Sequence, residues 1–178
     1  MRPILSLLAI LFIQTINAQN SSALVTMAGI SDLKVGMKKA DLEKLLSQTL
    51  STPHLSKDND DWYQDTVRVT YKGIDADVIF QREYGENKKF DIVVWEIKSS
   101  SNTLKTKSGI SIGDDKLKII STYPGYMIHI LPGYEKDFTI KSKTRSSIWL
   151  FGEDGKVLVF HLTNDKVTGF SVLYSEGC

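Results

Sequence analysis

The chain reads Leu33-Lys34-Val35-Gly36-Met37-Lys38-Lys39-Ala40-Asp41-Leu42 and later Ile110-Ser111-Ile112-Gly113-Asp114-Asp115-Lys116-Leu117-Lys118-Ile119. Both stretches run apolar-x-apolar-Gly, then polar residues, then an amphipathic run. Gly36 falls on Gly113, Val35 on Ile112 and Leu42 on Ile119. Internal similarity at a fixed offset is the signature of duplication. Leu42, Leu45, Leu46, Thr49 and Leu50 have the i, i+3, i+4, i+7, i+8 spacing of one helical stripe. Leu117, Ile119, Ile120 and Tyr123 form a shorter stripe that Pro124-Gly125 stops. Asp115 is a good N-cap for the second helix. Its counterpart Lys38 is a poor one, partly offset by Asp41 and Glu43 at the positive end of the helix dipole.

Outward from each helix the pattern changes to strands. The first set is Val67–Tyr71, Ala76–Gln81 and Phe90–Ile97; the second is Ser147–Phe151, Lys156–Leu162 and Val167–Tyr174. Lys72-Gly73, Gly85-Glu86-Asn87, Gly152-Glu153-Asp154-Gly155 and Asn164-Asp165 are short turn signals, which favour antiparallel meanders. A further strand is expected at Tyr126–Leu131. The sequence therefore predicts an α+β fold: two tandem repeats, each a helix followed by a three-stranded antiparallel meander, sharing one core. The first repeat would occupy residues 19–101 and the second 102–178.

Residues 1–18 have the form of a cleavable signal peptide: a positive Arg2, an apolar run from Ile4 to Ile13, and a small Ala18 before the cut. The run is too short to span a bilayer, which takes roughly 20 apolar residues. The alternative is an uncleaved anchor. A periplasmic or secreted location follows, with no membrane span after cleavage. Of the 22 basic residues Arg2 alone lies in the leader, so the remaining chain carries 21 basic and 21 acidic side chains and no net charge. A nucleic-acid binder normally shows a basic excess. Cys178 is the only cysteine. It forms no intramolecular disulfide and either pairs between chains or sits idle on a frayed terminus.

The pattern Leu33-x-Val35-Gly36-Met37-x-x-x-x-Leu42, followed by Pro53 and by Trp62-Tyr63 entering a strand, resembles the SmpA/OmlA (BamE) family. Gly109-Ile110-x-Ile112-Gly113 with Tyr123-Pro124 is similar. A tandem pair of such units resembles the beta-lactamase inhibitor protein fold, in which two helix-plus-sheet repeats form a concave surface that clamps a partner protein. The resemblance implies a protein-binding or envelope-assembly role. The chain departs from it in lacking a lipidated Cys after the signal, in the polar stretch Ser51–Asp61, and in having too few cysteines for the inhibitors' disulfides.

Motifs that carry chemistry are weak. His54, His129 and His161 have no metal-ligand spacing, and a terminal Cys completes no zinc site. Lys57-Asp58-Asn59-Asp60-Asp61 offers hard oxygens, but the sixth and twelfth positions counted from Asp58 hold Tyr63 and Val69 instead of the Gly and Glu of a calcium loop. Ser108, Ser111, Ser146 and Ser147 lack a nucleophile elbow. Gly109–Gly113 lacks the Lys-Ser/Thr of a phosphate loop. Asn20-Ser21-Ser22 has the N-glycosylation form. No cofactor is implied. Most aromatics suit strand cores. Trp62 and Tyr63 at a loop-to-strand edge, and Tyr123, Tyr126 and Tyr134 around the two Pro-Gly turns, are the candidates for contact with a protein partner. Their long segment, 123–146, is of the kind that often carries function. Three readings follow: an exported non-catalytic protein-binding module; an exported hydrolase or metal-dependent enzyme with a site around His129 and His161; and a passive structural protein of the envelope.

Overall fold

The computed structural model describes residues 23–55, 63–84, 90–135 and 139–175. The signal segment, Asn20-Ser21-Ser22, Lys57–Asp61, Trp62, the Gly85-Glu86-Asn87 turn and Cys178 lie outside the described residues. Among those described, the elements run β1 (Ala23–Thr26), β2 (Gly29–Ile30), β3 (Leu33–Lys34), α1 (Lys39–Leu46), β4 (Asp65–Tyr71), β5 (Ile74–Tyr84), β6 (Phe90–Ser99), β7 (Leu104–Thr106), α2 (Lys116–Thr122), β8 (Met127–Tyr134), β9 (Lys141–Phe151), β10 (Lys156–Thr163) and β11 (Lys166–Tyr174). A single 3₁₀ turn, Glu153–Gly155, joins β9 to β10.

The strand registers decide the architecture. A seven-stranded antiparallel sheet has the order β4-β5-β6-β11-β10-β9-β8, and a small sheet has the order β3-β2-β1-β7. Reading across the large sheet at one level gives Val67, Val78, Ile97, Val172, Leu158, Leu150 and Ile128. All seven are apolar, and they point to one face because side chains alternate along each strand. The small sheet and both helices cover this face. They bring Val25, Ile30, Leu33, Leu42, Leu104 and Ile119 into one core with it. Phe160 and Phe170, paired across β10 and β11, meet edge to face with centroids 5.4 Å apart. Each fully buried side chain of this size contributes roughly 1.5–3 kcal/mol.

Two hairpins show how local sequence sets register. Lys72 and Gly73 between β4 and β5, and Asn164 and Asp165 between β10 and β11, all have positive φ. That is the two-residue type I′ geometry, whose twist matches that of the flanking strands.

The tandem-repeat α+β expectation is overturned. The protein is mostly β, with helices of only eight and seven residues. Three strands of the large sheet and then β7 of the small sheet follow the first helix, whereas four strands of the large sheet follow the second. The first helix stops at Leu46 because Ser47 turns into the left-handed region. The Glu43 carboxylate then accepts the N–H of Leu50 at 2.8 Å, holding Leu50 in the core outside the helix. The stripe seen in the sequence thus combines one short helix with a returning loop. The strands of the small sheet, two to four residues long, are too brief to show alternation. One pair, β1 with β7, is parallel and joins segments some 80 residues apart. The similarity between the Gly36 and Gly113 stretches is local. Each glycine has positive φ, +82° and +87°. Gly36 N–H donates to Val94 O of β6, and Gly113 N–H donates to Val167 O of β11. Asp115 caps α2 by accepting the N–H of Leu117, whereas Lys38 makes no side-chain cap.

Both glycines are strained by any side chain, but only one is also crowded. A Cβ on Gly36 would lie 2.8 Å from the Tyr174 hydroxyl, and a Cβ on Gly113 would meet nothing within 4 Å. Gly113→Ala is expected to cost about 1 kcal/mol, the cost of a left-handed non-glycine residue. Gly36→Ala is expected to cost about 2 kcal/mol or more, within the range for strained backbone positions. Urea unfolding of the two variants checks the order.

Candidate binding surface

The opposite face of the large sheet carries polar, charged and aromatic side chains. Its central row reads Arg68, Asp77, Lys98, Ser171, Val159, Trp149 and His129, one residue per strand. The next row reads Thr66, Ile79, Glu96, Leu173, Val157, Phe151 and Met127. The face is therefore charged over β4, β5 and β6 and aromatic or apolar over β10, β9 and β8. Val157 and Val159 are buried here between their larger cross-strand neighbours Phe151, Leu173 and Trp149.

In the charged half, Arg68 donates to both oxygens of Asp77 at 2.9 and 3.2 Å, and Lys98 pairs with Glu96 at 3.3 Å. These pairs are solvent-exposed enough to contribute little stability. Beside them is a cleft of about 240 Å³ bordered by Arg68, Asp77, Lys98 and His161. His161 Nε2 lies 2.7 Å from the Ser171 hydroxyl oxygen. This contact is not a nucleophile–base arrangement that a substrate can reach, because Ser171 is fully buried. Among the described residues no carboxylate hydrogen-bonds the other ring nitrogen of His161, so the orienting third member of a triad is missing.

A second cleft, of about 510 Å³, opens where β5, β6, β11 and β9 approach the segment before β4. Trp95, Trp149, Tyr174 and Tyr63 line it, together with the amides of Gln64 and Gln81. None of its lining side chains carries a formal charge. Trp95 reaches it from a β-bulge: Ile79 pairs with Glu96 and Phe80 with Val94, leaving Trp95 without an opposite residue. Its ring lies 5.8 Å from that of Tyr174. Tyr63 is set at the mouth by a polar anchor. Asp65, 5% exposed, accepts the N–H groups of His54 and Leu55 at 3.0 Å each and the His54 ring at 2.7 Å. Burial pushes the Asp65 carboxyl up, but these hydrogen bonds outweigh it and hold the group below its ordinary value. The His54 ring in turn lies 5.8 Å from that of Tyr63.

The aromatic candidates divide. Tyr63, Tyr126 and Tyr134 are exposed by 42–47%. Tyr123 is buried: its ring packs on Phe160 and its hydroxyl donates to Thr106 at 3.0 Å, fastening α2 to β7. It is a core residue, because the chain leaves the helix inward before the Pro124-Gly125 turn brings it to β8. His129 and His161 share the open face but do not converge. They lie on β8 and β10 with β9 between them, and His129 stacks by Phe151 at 4.7 Å. Among the described residues no group of three His, Cys, Asp or Glu side chains is placed to hold a metal ion. Trp95, Trp149 and Gln81 are not singled out by sequence. The signal that was available for Trp149 and Gln81 is their parity within each strand, opposite to Leu150 and Phe80, whereas Trp95 shares the parity of the buried Ile97 and is turned outward by the bulge.

His161 couples this face to pH. Burial, and secondarily the charge of Lys98, lower its pKa below the ordinary 6.5. On acidification the unfolded chain takes up this proton first. The stabilising contribution is therefore complete above about pH 6.5 and is lost as pH falls from there towards the lowered folded value. A His161→Gln variant lacks that step. Wild-type Tm minus variant Tm is expected to shrink between pH 7.5 and 5, as followed by circular dichroism.

No family model, curated protein or solved structure matches this chain.

Proposed function

We propose that this chain is exported and works as a non-catalytic protein-binding module, docking its partner along the β8 edge. The observation that carries the proposal is the apolar patch on β8. Tyr126, Met127, Ile130, Leu131 and Tyr134, on or next to β8, are each 41–57% exposed. Exposed apolar side chains gathered on one edge strand are characteristic of an interaction site on a water-exposed protein. Met127 and Leu131 belong to the open face, whereas Ile130 lies on the core side, where the covering layer ends short of β8. The strand exposes apolar groups on both sides.

The edge itself favours strand-to-strand contact. β8 contains no Lys, Arg, Asp or Glu from Met127 to Tyr134. Edge strands are usually guarded by such charges, and a strand without them is suited to β-augmentation by an extended segment of a partner. Pro132 and the irregular pairing before Tyr134 confine the usable edge to Met127–Leu131. The signal-like leader supports an encounter outside the cytoplasm, and the resemblance to the SmpA/OmlA and inhibitor-protein families points towards the same kind of role. No helix among the described residues is long and apolar enough to cross a membrane.

The test is affinity capture from an envelope extract with the mature chain and with a Met127→Lys, Leu131→Lys double variant. The wild type is expected to retain one near-stoichiometric partner, and the variant to lose at least tenfold of it. The variant's Tm should stay close to wild type, since surface changes usually move stability by about 0.5 kcal/mol or less. Equal capture by both baits, or none by either, contradicts the proposal. N-terminal sequencing of the exported chain, expected to begin at Gln19, tests the leader.

A further inference from the structure

We propose that the uncharged aromatic cleft bounded by Trp95, Trp149, Tyr174 and Tyr63 is a binding site for a neutral oligosaccharide. The proposal is independent of partner docking at β8.

Three observations carry it. The first is the unused amide at the cleft. Gln81 is 8% exposed, and its side-chain oxygen accepts from the Gln64 amide at 3.3 Å. Its own NH₂ group has no protein acceptor among the described residues. Buried polar groups in folded proteins are nearly always paired, so a donor of this kind facing a cleft calls for an acceptor from a ligand or solvent. The second is the neutrality of the lining. A site for an anion or cation would carry a countercharge, and the neighbouring cleft at Arg68, Asp77 and Lys98 shows that this sheet places charges freely. The third is the aromatic content. Indole and phenol rings offer flat apolar faces to the C–H faces of pyranose rings, while amides both donate to and accept from the ring hydroxyls. A mostly apolar pocket with a few convergent polar groups, about 300–1,000 Å³ in size, is the usual form of a small-ligand site.

An extended proline-rich peptide is the competing ligand, since it too seeks aromatic grooves. Such grooves fix the peptide by donating hydrogen bonds to its carbonyl groups. Here the Trp149 indole N–H is already given to Ser147 at 2.9 Å, so Trp149 offers the cleft a ring face and no donor. The Gln64 and Gln81 amides beside it both donate and accept, which suits hydroxyl-rich ligands.

The experiment is a titration of the full mature chain with cellohexaose, maltohexaose, chitohexaose and decaproline, followed by tryptophan fluorescence and by the side-chain amide and indole resonances in ¹H–¹⁵N NMR spectra. At least one saccharide is expected to bind saturably and to shift the Gln81 amide and Trp95 indole signals. Gln81→Leu and Trp95→Ala should each weaken that binding tenfold or more. Tyr63→Ala, at an exposed position, should weaken it severalfold in a chain whose fold is unaffected. Leu131→Lys, on β8, should leave it unchanged. The proposal is overturned if no saccharide binds, if the shifts map elsewhere, if the cleft variants bind as well as wild type, or if decaproline alone shifts these resonances.

Discussion

The pairing of β6 with β11 is the constraint on which the rest of the structure depends. It runs antiparallel over Ser99–Phe170, Lys98–Ser171, Ile97–Val172 and Glu96–Leu173. It joins a three-stranded meander to a four-stranded one, so that neither has to bury its apolar face alone. A half of this chain would make only a marginal core. The same two strands receive the glycine turns, Gly36 on Val94 and Gly113 on Val167. Each short helix is therefore docked through backbone hydrogen bonds to the seam as well as by the burial of Leu42 or Ile119. Helices of this length are marginal in isolation, and here tertiary contact sustains them.

The seam also creates the open face. Lys98 with Ser171, and Glu96 with Leu173, are its outward pairs. On one side the sheet continues into Asp77 and Arg68, and on the other into Val159, Trp149 and His129. The division between a charged and an aromatic half thus falls where the two meanders meet. Each half keeps the chemistry of its own strands, and the larger cleft combines them: Gln81 and Trp95 come from the first meander, Trp149 and Tyr174 from the second. Neither meander alone builds that lining.

What was legible in the sequence was local. The alternation in Val67–Tyr71, the type I′ turns at Lys72-Gly73 and Asn164-Asp165, the Asp115 cap and the Gly36 and Gly113 turns are all set by neighbouring residues, and the structure contains each of them. What was not legible depends on contacts distant in the chain. The parallel pairing of β1 with β7 leaves no periodicity in either short strand. The 123–146 segment held the exposed Tyr126 and Tyr134 as read, yet Tyr123 turned inward. Its burial depends on Phe160 and Thr106, which no local pattern connects to it. Trp95 shows the same limit from the other direction. A strand tryptophan reads as core, and only the bulge opposite Ile79 and Phe80 carries it to the cleft.

The two edges of the large sheet close the argument about where the molecule meets others. β4 presents Asp65, Arg68 and the exposed Thr66 and Thr70, and Asp65 is tied back to the His54–Leu55 backbone, so a loop already occupies part of that edge. Among the described residues β8 has no such cover, and none of its own residues carries a formal charge. A sheet that protects one edge and leaves the other apolar has a direction in which it can be extended. Because Met127 and Leu131 share their face with Phe151 and Ser147, a strand added to β8 would continue the aromatic half outward while leaving the cleft at Trp95 open. Extension along the edge and ligand binding on the face are geometrically compatible, since one uses the backbone and apolar side chains of β8 and the other the side chains of β5, β6, β9 and β11.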